Sequence, residues 1–154
     1  MRSGTPEAHP VVVNTGPILA LAFIGHLTLL RTLYTRVYVP EAVAQEVLRG
    51  GASGLGVGAF VQAAWIERRA VHSAPHPLVV AALDQGEAEV VTLAIELNIR
   101  HVLIDETAGR RVAHVLGLDI SGTVGALPRA KREGHNTAVR PLLDELRGRG
   151  IWLG

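Results

Sequence analysis

The chain of 154 residues lacks cysteine, and it contains few aromatic residues, a single methionine and a single lysine. The absence of cysteine excludes disulfide bonds and thiolate metal sites, and it fits a reducing compartment. The net charge is only +1, so no overall basic field marks the protein as a nucleic-acid binder. Because 48% of the residues are hydrophobic, a disordered chain is excluded and a substantial core is expected.

A long membrane-spanning run is also missing, although residues 11–30 carry no fixed charge. Polar and turn-forming residues interrupt this stretch at 14–17 and again at 25–26. No unbroken apolar run therefore approaches the roughly 18 residues that a span requires, and the early interruption also argues against a signal peptide. We expect a buried strand followed by a buried helix, in a soluble cytoplasmic protein.

Short apolar strands alternate with helices along the chain, which is typical of a parallel sheet covered by helices. The predicted strands are 11–13, 37–39, 101–104, 119–121 and 151–153; predicted helices open at 17 and 87 and cover 27–34, 41–49, 59–64, 107–116, 124–133 and 137–147. Residues 65–71 are ambiguous, and residues 72–77 read as a loop. The pattern predicts one three-layer α/β/α domain over residues 1–154, with a central, mostly parallel sheet of about four to five strands and a flexible leader at 1–9.

One predicted helix opens with two acids on opposite faces, Glu87 and Glu89. At about 100° per residue, Val90 and Ala94 fall on the side of Glu87, whereas Glu89 and Glu96 fall opposite. Glu87 is therefore expected on the buried face, and the other two glutamates in solvent. The simpler alternative is that both first-turn acids only complement the helix dipole, which accounts better for Glu89 than for Glu87.

Four oxygen-bearing side chains are expected at one edge of the sheet. Asn14 and Asp105 each follow a predicted strand, Glu87 opens the helix before the Asp105 strand, and Glu46 lies at the margin of an apolar helix face. Ligands of parallel α/β sheets bind outside the carboxyl ends of the strands. Hard oxygen ligands favour Mg²⁺ or Mn²⁺, and the chemistry indicated is metal-activated water attacking a phosphodiester.

Each of these residues also has a simpler explanation when it is considered alone. Asp105 can cap the helix predicted at 107–116, and Asn14 can cap or shape the turn into the next helix. Glu46 can form a surface ion pair with Arg49, which would contribute little. A metal site accounts for all four residues together.

Several segments, taken in order, carry a family resemblance: VVVNTGPILALAFIGHLTLL, PEAVAQEVLRG, GEAEVVTLA, IDETAGRRVAHVLGLDISGTVGAL and VRPLLDELRGRGIWL. The chain resembles the PIN-domain family, ribonucleases that include the VapC toxins of toxin–antitoxin modules. More narrowly, it resembles a PIN-like subgroup long described as of unknown function. Asp105 follows Glu87 by 18 residues, in agreement with the acid-to-acid spacing of the family.

The resemblance implies a metal-dependent endoribonuclease with Glu46, Glu87 and Asp105 as carboxylate ligands and Asn14 as a neutral fourth. It also implies Mg²⁺ or Mn²⁺ as cofactor, RNA as substrate, a cognate antitoxin protein as partner and a homodimer.

Through the resemblance, three further residues are candidates for contact with the metal ligands or with the substrate. Thr15 and Thr123 stand where the family often has hydroxyl residues near the metal or the scissile phosphate. Glu106 is either an extra acid of the site or a solvent-directed first-turn glutamate.

The chain departs from the family pattern at Asn14, because VapC-like nucleases have aspartate there. An amide oxygen can ligate a cation but brings no negative charge. The departure supports a second hypothesis, a catalytically impaired PIN-like module that binds RNA or a protein partner without cutting. Basic residues at 110–111, 129–132 and 147–149 fit either an RNA-facing rim or solvated helix faces, and the sequence leaves both open.

Overall fold

The computed structural model describes residues 9–50 and 56–122, where five strands alternate with seven helices. In chain order these are β1 (Val11–Val13), α1 (Thr15–Phe23), α2 (Leu29–Leu33), β2 (Val37–Pro40), α3 (Glu41–Arg49), α4 (Val57–Gln62), β3 (Ile66–Arg69), α5 (Pro77–Ala82), α6 (Gln85–Glu96), β4 (His101–Leu103), α7 (Thr107–Val115) and β5 (Asp119–Ser121). The helices predicted at 124–133 and 137–147 and the strand predicted at 151–153 lie outside the described residues.

All five strands pair in parallel, in the order β3-β2-β1-β4-β5. In the centre, Val11 is in register with Val37 on one side and with His101 on the other. The predicted α/β class with a parallel sheet flanked by helices is therefore confirmed. The sequence left residues 65–71 undecided, and they contain β3, which has only one buried residue, Ile66.

The uncharged stretch at 11–30 forms β1, α1 and the start of α2. The three valines of β1 are fully buried, as expected of β-branched residues in a central parallel strand. Helix α1 begins at Thr15, so Pro17 is its third residue and not its first. The first four N–H groups of a helix have no partner within the helix, so proline at the third position removes no helical hydrogen bond. None of the described helices combines the length and the apolar character needed to cross a membrane.

Helix α3 has the predicted bounds, and it ends at Gly50 in the left-handed conformation, with φ of 46°. The Ala42 N–H near its start donates to Glu89 Oε1 of α6 over 3.0 Å. Glu89 and Glu96 lie outside the buried face of α6, as predicted, but each also makes hydrogen bonds that the sequence did not suggest. Glu96 Oε1 accepts hydrogen bonds from the backbone N–H groups of His72 and Ser73.

Helix α5 was not predicted from the sequence. His76 caps it, with Nδ1 accepting from the Leu78 N–H, and Pro77 occupies its first position. Val79 is its only buried residue, so the helix has no apolar periodicity for a sequence pattern to reveal.

The end of the predicted leader contacts the sheet. The ring of His9 stacks on His101 with centroids 4.4 Å apart, and the backbone oxygen of His9 accepts from the Thr35 N–H. Residues 1–8 lie outside the described part of the chain.

Candidate functional site

The turn after β1 places two polar side chains at the carboxyl edge of the sheet. Asn14 has extended backbone angles and is 5% exposed, and Thr15 is also buried. The Thr15 hydroxyl donates to Glu46 Oε1 over 2.8 Å, which ties the end of β1 to helix α3. Glu46 is thus directed toward this edge, and no ion pair joins it to Arg49 in the described structure.

Gly86, near the start of α6, lies where side-chain oxygens from three parts of the chain meet. A Cβ at this position would lie 3.3 Å from Glu46 Oε1, 3.7 Å from Asn14 Oδ1 and 3.7 Å from Asp84 Oδ1. The close approach of polar oxygens to this backbone is one that glycine accommodates best. Asn14, Glu46 and Asp84 are therefore neighbours around the N-terminus of α6.

Glu87 has one oxygen engaged and one oxygen without a partner. In a capping box at the start of α6, Asp84 Oδ1 accepts from the Glu87 N–H over 2.9 Å and Glu87 Oε1 accepts from the Asp84 N–H over 3.4 Å. Glu87 Oε2 is buried and has no hydrogen-bond partner within the described residues. The capping box therefore gives a hydrogen bond to Glu87 Oε1 but none to Glu87 Oε2.

The environment of Glu87 disfavours its charge. Burial in the first place, and then the negative charges of Asp84 and Glu106, raise the pKa of Glu87 from 4.5 to about 7. The residue as a whole is only 4% exposed. A buried carboxylate among other acids is a feature of functional sites, because either a proton or a cation must relieve its charge.

Asp84, Glu87 and Glu106 form a compact acidic group. Each offers one oxygen, and these oxygens all lie within 4.8 Å of one another. The sequence analysis did not include Asp84, and it left open whether Glu106 belongs to the site. The pattern of an aspartate three residues before Glu87, a capping-box signature, was the signal that identifies Asp84.

Asp105 lies at the same edge but outside this compact group. Its Oδ2 lies 3.7 Å from the position of a Cβ on Gly16, and its Oδ1 lies 2.7 Å from that of a Cβ on Gly122. Arg110 Nη1 is 3.6 Å from the same point at Gly122. Asp105 is thus placed between the turn after β1 and the end of β5, and the guanidinium group of Arg110 approaches the same point at Gly122.

The described residues predicted for the site therefore share one edge of the sheet in two parts. Asn14 and Glu46 approach Gly86, and Thr15 donates to Glu46. Glu87 lies with Asp84 and Glu106, and Asp84 is also close to Gly86. Thr123 lies outside the described residues. The donors at this edge are carboxylate, amide and hydroxyl oxygens, and the unpartnered Glu87 Oε2 lies among them, so the set fits a hard divalent cation.

The described residues form an α/β domain with an acidic group at the carboxyl edge of a parallel sheet. A family model for the PIN domain matches residues 10–154, so the chain belongs to the PIN-domain family. Members of the family typically bind divalent metal ions, and an acidic group is present here.

A solved structure shows the same fold at low sequence identity. A PilT N-terminus domain protein from the hyperthermophilic archaeon Sulfolobus solfataricus is 16% identical, with a TM-score of 0.58 over 84% of this chain and 99% of that chain. A domain of a functionally unknown protein from Methanocaldococcus jannaschii is 17% identical, with a TM-score of 0.48 over 75% of this chain and 91% of that chain. No protein of curated function matches the chain significantly.

Proposed function

We propose that the protein is a metal-dependent endoribonuclease of the toxin–antitoxin type. The observation that carries the proposal is the buried, unpartnered Glu87 Oε2, which lies in an acidic group at the carboxyl edge of a PIN-family sheet. Membership of a nuclease-type family supports the reaction class. The expected substrate is RNA, and the expected reaction is hydrolysis of its phosphodiester bonds.

Carboxylates from three elements are the proposed catalytic and metal-binding residues. Glu46 on α3, Glu87 on α6 and Asp105 after β4 supply charge, and Asn14 after β1 supplies a neutral amide oxygen. Thr15 orients Glu46 through its 2.8 Å hydrogen bond. A bound Mg²⁺ or Mn²⁺ would supply activation of water and neutralisation of the phosphate.

Arg110 and Asp105 both approach Gly122. The guanidinium group of Arg110 is suited to contact an RNA phosphate. The acidic edge itself repels RNA until its charge is balanced, so a divalent ion is expected to promote both RNA binding and cleavage.

A cognate antitoxin and a homodimer remain proposals that rest on the family. A small antitoxin-like reading frame beside the gene, and sedimentation of the purified protein, test these two proposals.

The cleavage test compares wild type with site and control variants. The full chain is incubated with structured RNA in Mg²⁺, in Mn²⁺ or in EDTA, beside Asp105→Asn, Glu87→Gln and Asp119→Asn. We expect cation-dependent cleavage by wild type and a loss on the order of 100-fold in each site variant, since each removes a charged ligand. Asp119 is exposed at the opposite edge of the sheet, so its variant should cut like wild type.

Cleavage that survives both Asp105→Asn and Glu87→Gln would contradict the site assignment.

A second candidate function is binding of RNA or a protein without cutting. It is favoured by one observation, that the buried residue after β1 is the uncharged Asn14. Asn14→Asp separates the two. An inactive wild type that gains cleavage with this substitution supports the impaired module, whereas an active wild type supports the nuclease.

A further inference from the structure

We infer that the stack of His9 on His101 is a pH-sensitive clamp, which holds the segment before β1 against the sheet at neutral pH and releases it in weakly acidic solution. The clamp lies at the amino edge of the sheet, where β1 and β4 begin. It is therefore at the opposite end of the strands from the acidic group, and the inference is independent of the proposed nuclease.

His9 attaches the segment before β1 at two points. Its ring stacks on that of His101, with centroids 4.4 Å apart and planes inclined by 23°. Its backbone oxygen accepts a hydrogen bond from the Thr35 N–H over 3.0 Å. Pro10, which lies between His9 and β1, has no N–H and so adds no donor. Within the described residues, the attachment of this segment ahead of β1 therefore depends on His9.

Protonation affects this contact because both of its rings are imidazoles. Two neutral imidazoles carry no net charge and can stack like other aromatic rings. A single proton adds one charge and creates no repulsion between the rings. Two imidazolium rings with centroids 4.4 Å apart repel each other. Free histidine titrates near pH 6.5, so weakly acidic solution is where a second proton begins to oppose the stack.

The charged groups around the stack do not offset this repulsion. A cavity of about 400 Å³ adjoins both rings, and the other charged residues that line it are Arg100 and Asp119. Arg100 Nε lies 3.7 Å from Asp119 Oδ2, so the carboxylate already has a cationic partner. Both of these side chains are more than half exposed, which gives protons and water access to the rings. Two added charges would therefore leave an excess of positive charge at this edge.

The direction of the pH effect follows from proton binding. Released histidines each take up a proton in acid, whereas the stacked pair resists the second one. The released state thus binds more protons, so lowering the pH favours release and raising it favours the clamp. If one proton separates the two states, the ratio of clamped to released molecules falls by at most about tenfold per pH unit below the histidine range.

The Thr35 amide reports directly on the clamp, because its acceptor is the backbone oxygen of His9. Hydrogen exchange of the full chain is measured by NMR from about pH 7.5 to about pH 5, and each rate is compared with the intrinsic rate at that pH. We expect the protection of Thr35 to fall below about pH 6.5, by up to about tenfold per unit. The Val11 amide, which donates to the Arg36 oxygen, is the internal control and should keep its protection.

Variants separate the stack from histidine titration elsewhere. His9→Phe and His101→Phe each remove one proton-binding ring and keep an aromatic pair. In either variant the protection of Thr35 should not change with pH over this range. His72→Gln is the matched control, because it removes an exposed histidine from the loop after β3. This variant should lose Thr35 protection in acid as wild type does.

Three results would overturn the inference. The first is a Thr35 amide that keeps its protection down to about pH 5 in wild type. The second is a loss of protection in His9→Phe and His101→Phe that equals the loss in wild type. The third is a parallel loss at Val11, which would show general unfolding of the sheet in acid. None of these measurements uses metal or RNA, so their outcome is separate from that of the nuclease test.

Discussion

Glu87 combines two roles that usually belong to different residues. One oxygen completes the cap of α6, and the other is buried without a hydrogen-bond partner in the described structure. The helix therefore begins correctly only if this side chain is held in place, and the same constraint holds the second oxygen beside Asp84 and Glu106. The capping box thus positions the unpartnered oxygen of Glu87.

The stability of the metal-free protein should depend on pH through Glu87. Folding raises the pKa of Glu87 from 4.5 to about 7, so the folded state binds this proton more tightly than the unfolded chain. Its contribution to stability is fully present below pH 4.5 and is lost as the pH rises through 7. Glu87→Gln should therefore change stability little at pH 5 and stabilise the metal-free protein at pH 8, as measured by urea unfolding in EDTA.

Glu96 provides the control of opposite sign. Hydrogen bonds from the His72 N–H and from Ser73 lower the pKa of Glu96, so its contribution is present above the unfolded value and is lost as the pH falls. Glu96→Gln should destabilise at neutral pH and should not stabilise at pH 8. If Glu87→Gln behaves in the same way as Glu96→Gln, the buried environment assigned to Glu87 is wrong.

At the residue scale, sequence reasoning was limited by long-range contacts. The helical angle correctly predicts that Glu87 is buried with Val90 and Ala94. The same angle cannot reveal that the N-terminal amides of α3 come within reach of Glu89. Asp84 was missed because an N-cap lies before the periodic part of a helix, where apolar spacing gives no information.

At the scale of elements, the packing of α7 against β4 and α6 depends on Gly109. A Cβ at this residue would lie 2.9 Å from Ile104 Cγ2 and 2.9 Å from Glu87 Oε2, both too close for ordinary contact. Gly58 in α4 is the opposite case, since a Cβ there would meet no described atom within 4 Å. Both glycines lie in helices, but only Gly58 has free space for a methyl group.

Alanine substitutions at these two glycines should have opposite effects. Gly109→Ala should destabilise by about 1–2 kcal/mol, because overpacking exceeds the gain in helix propensity. Gly58→Ala should stabilise by up to about 1 kcal/mol through propensity alone. Urea unfolding of both variants measures the difference. If Gly109→Ala is as stabilising as Gly58→Ala, the close packing of α7 described above is incorrect.

Helix α3 has its predicted bounds, because Pro40 and Gly50 flank an amphipathic segment. Strand β5 also has its predicted bounds, although none of its three residues is fully buried. Strand β3 and helix α5 each bury one residue, so their patterns carry almost no signal. The order of the strands could not be predicted from the sequence, because it depends on which crossover connections pack together.

At the scale of the whole molecule, the buried hydrophobic residues of the described chain form one cluster that includes residues of the central strands. The chain carries a net charge of only +1, so its acidic edge is a local feature and not a reflection of overall charge. We propose that residues 1–154 form a single domain.

A single domain should unfold in one cooperative transition. For 154 residues the calorimetric enthalpy is expected to be about 110 kcal/mol near 60 °C, and it should equal the van't Hoff enthalpy. Differential scanning calorimetry in EDTA measures both quantities. Two resolved transitions, or a van't Hoff enthalpy well below the calorimetric one, would show that part of the chain folds separately.

The hydrogen bond from the Ala42 N–H to Glu89 Oε1 has a consequence for the cation binding that we propose. It holds α3 and α6 together, and these helices carry Glu46 and Glu87. The spacing between these two carboxylates is thus set by the scaffold before any ion arrives. Such preorganisation lowers the entropy lost on binding, and it favours an ion of matching radius over one that is larger or smaller.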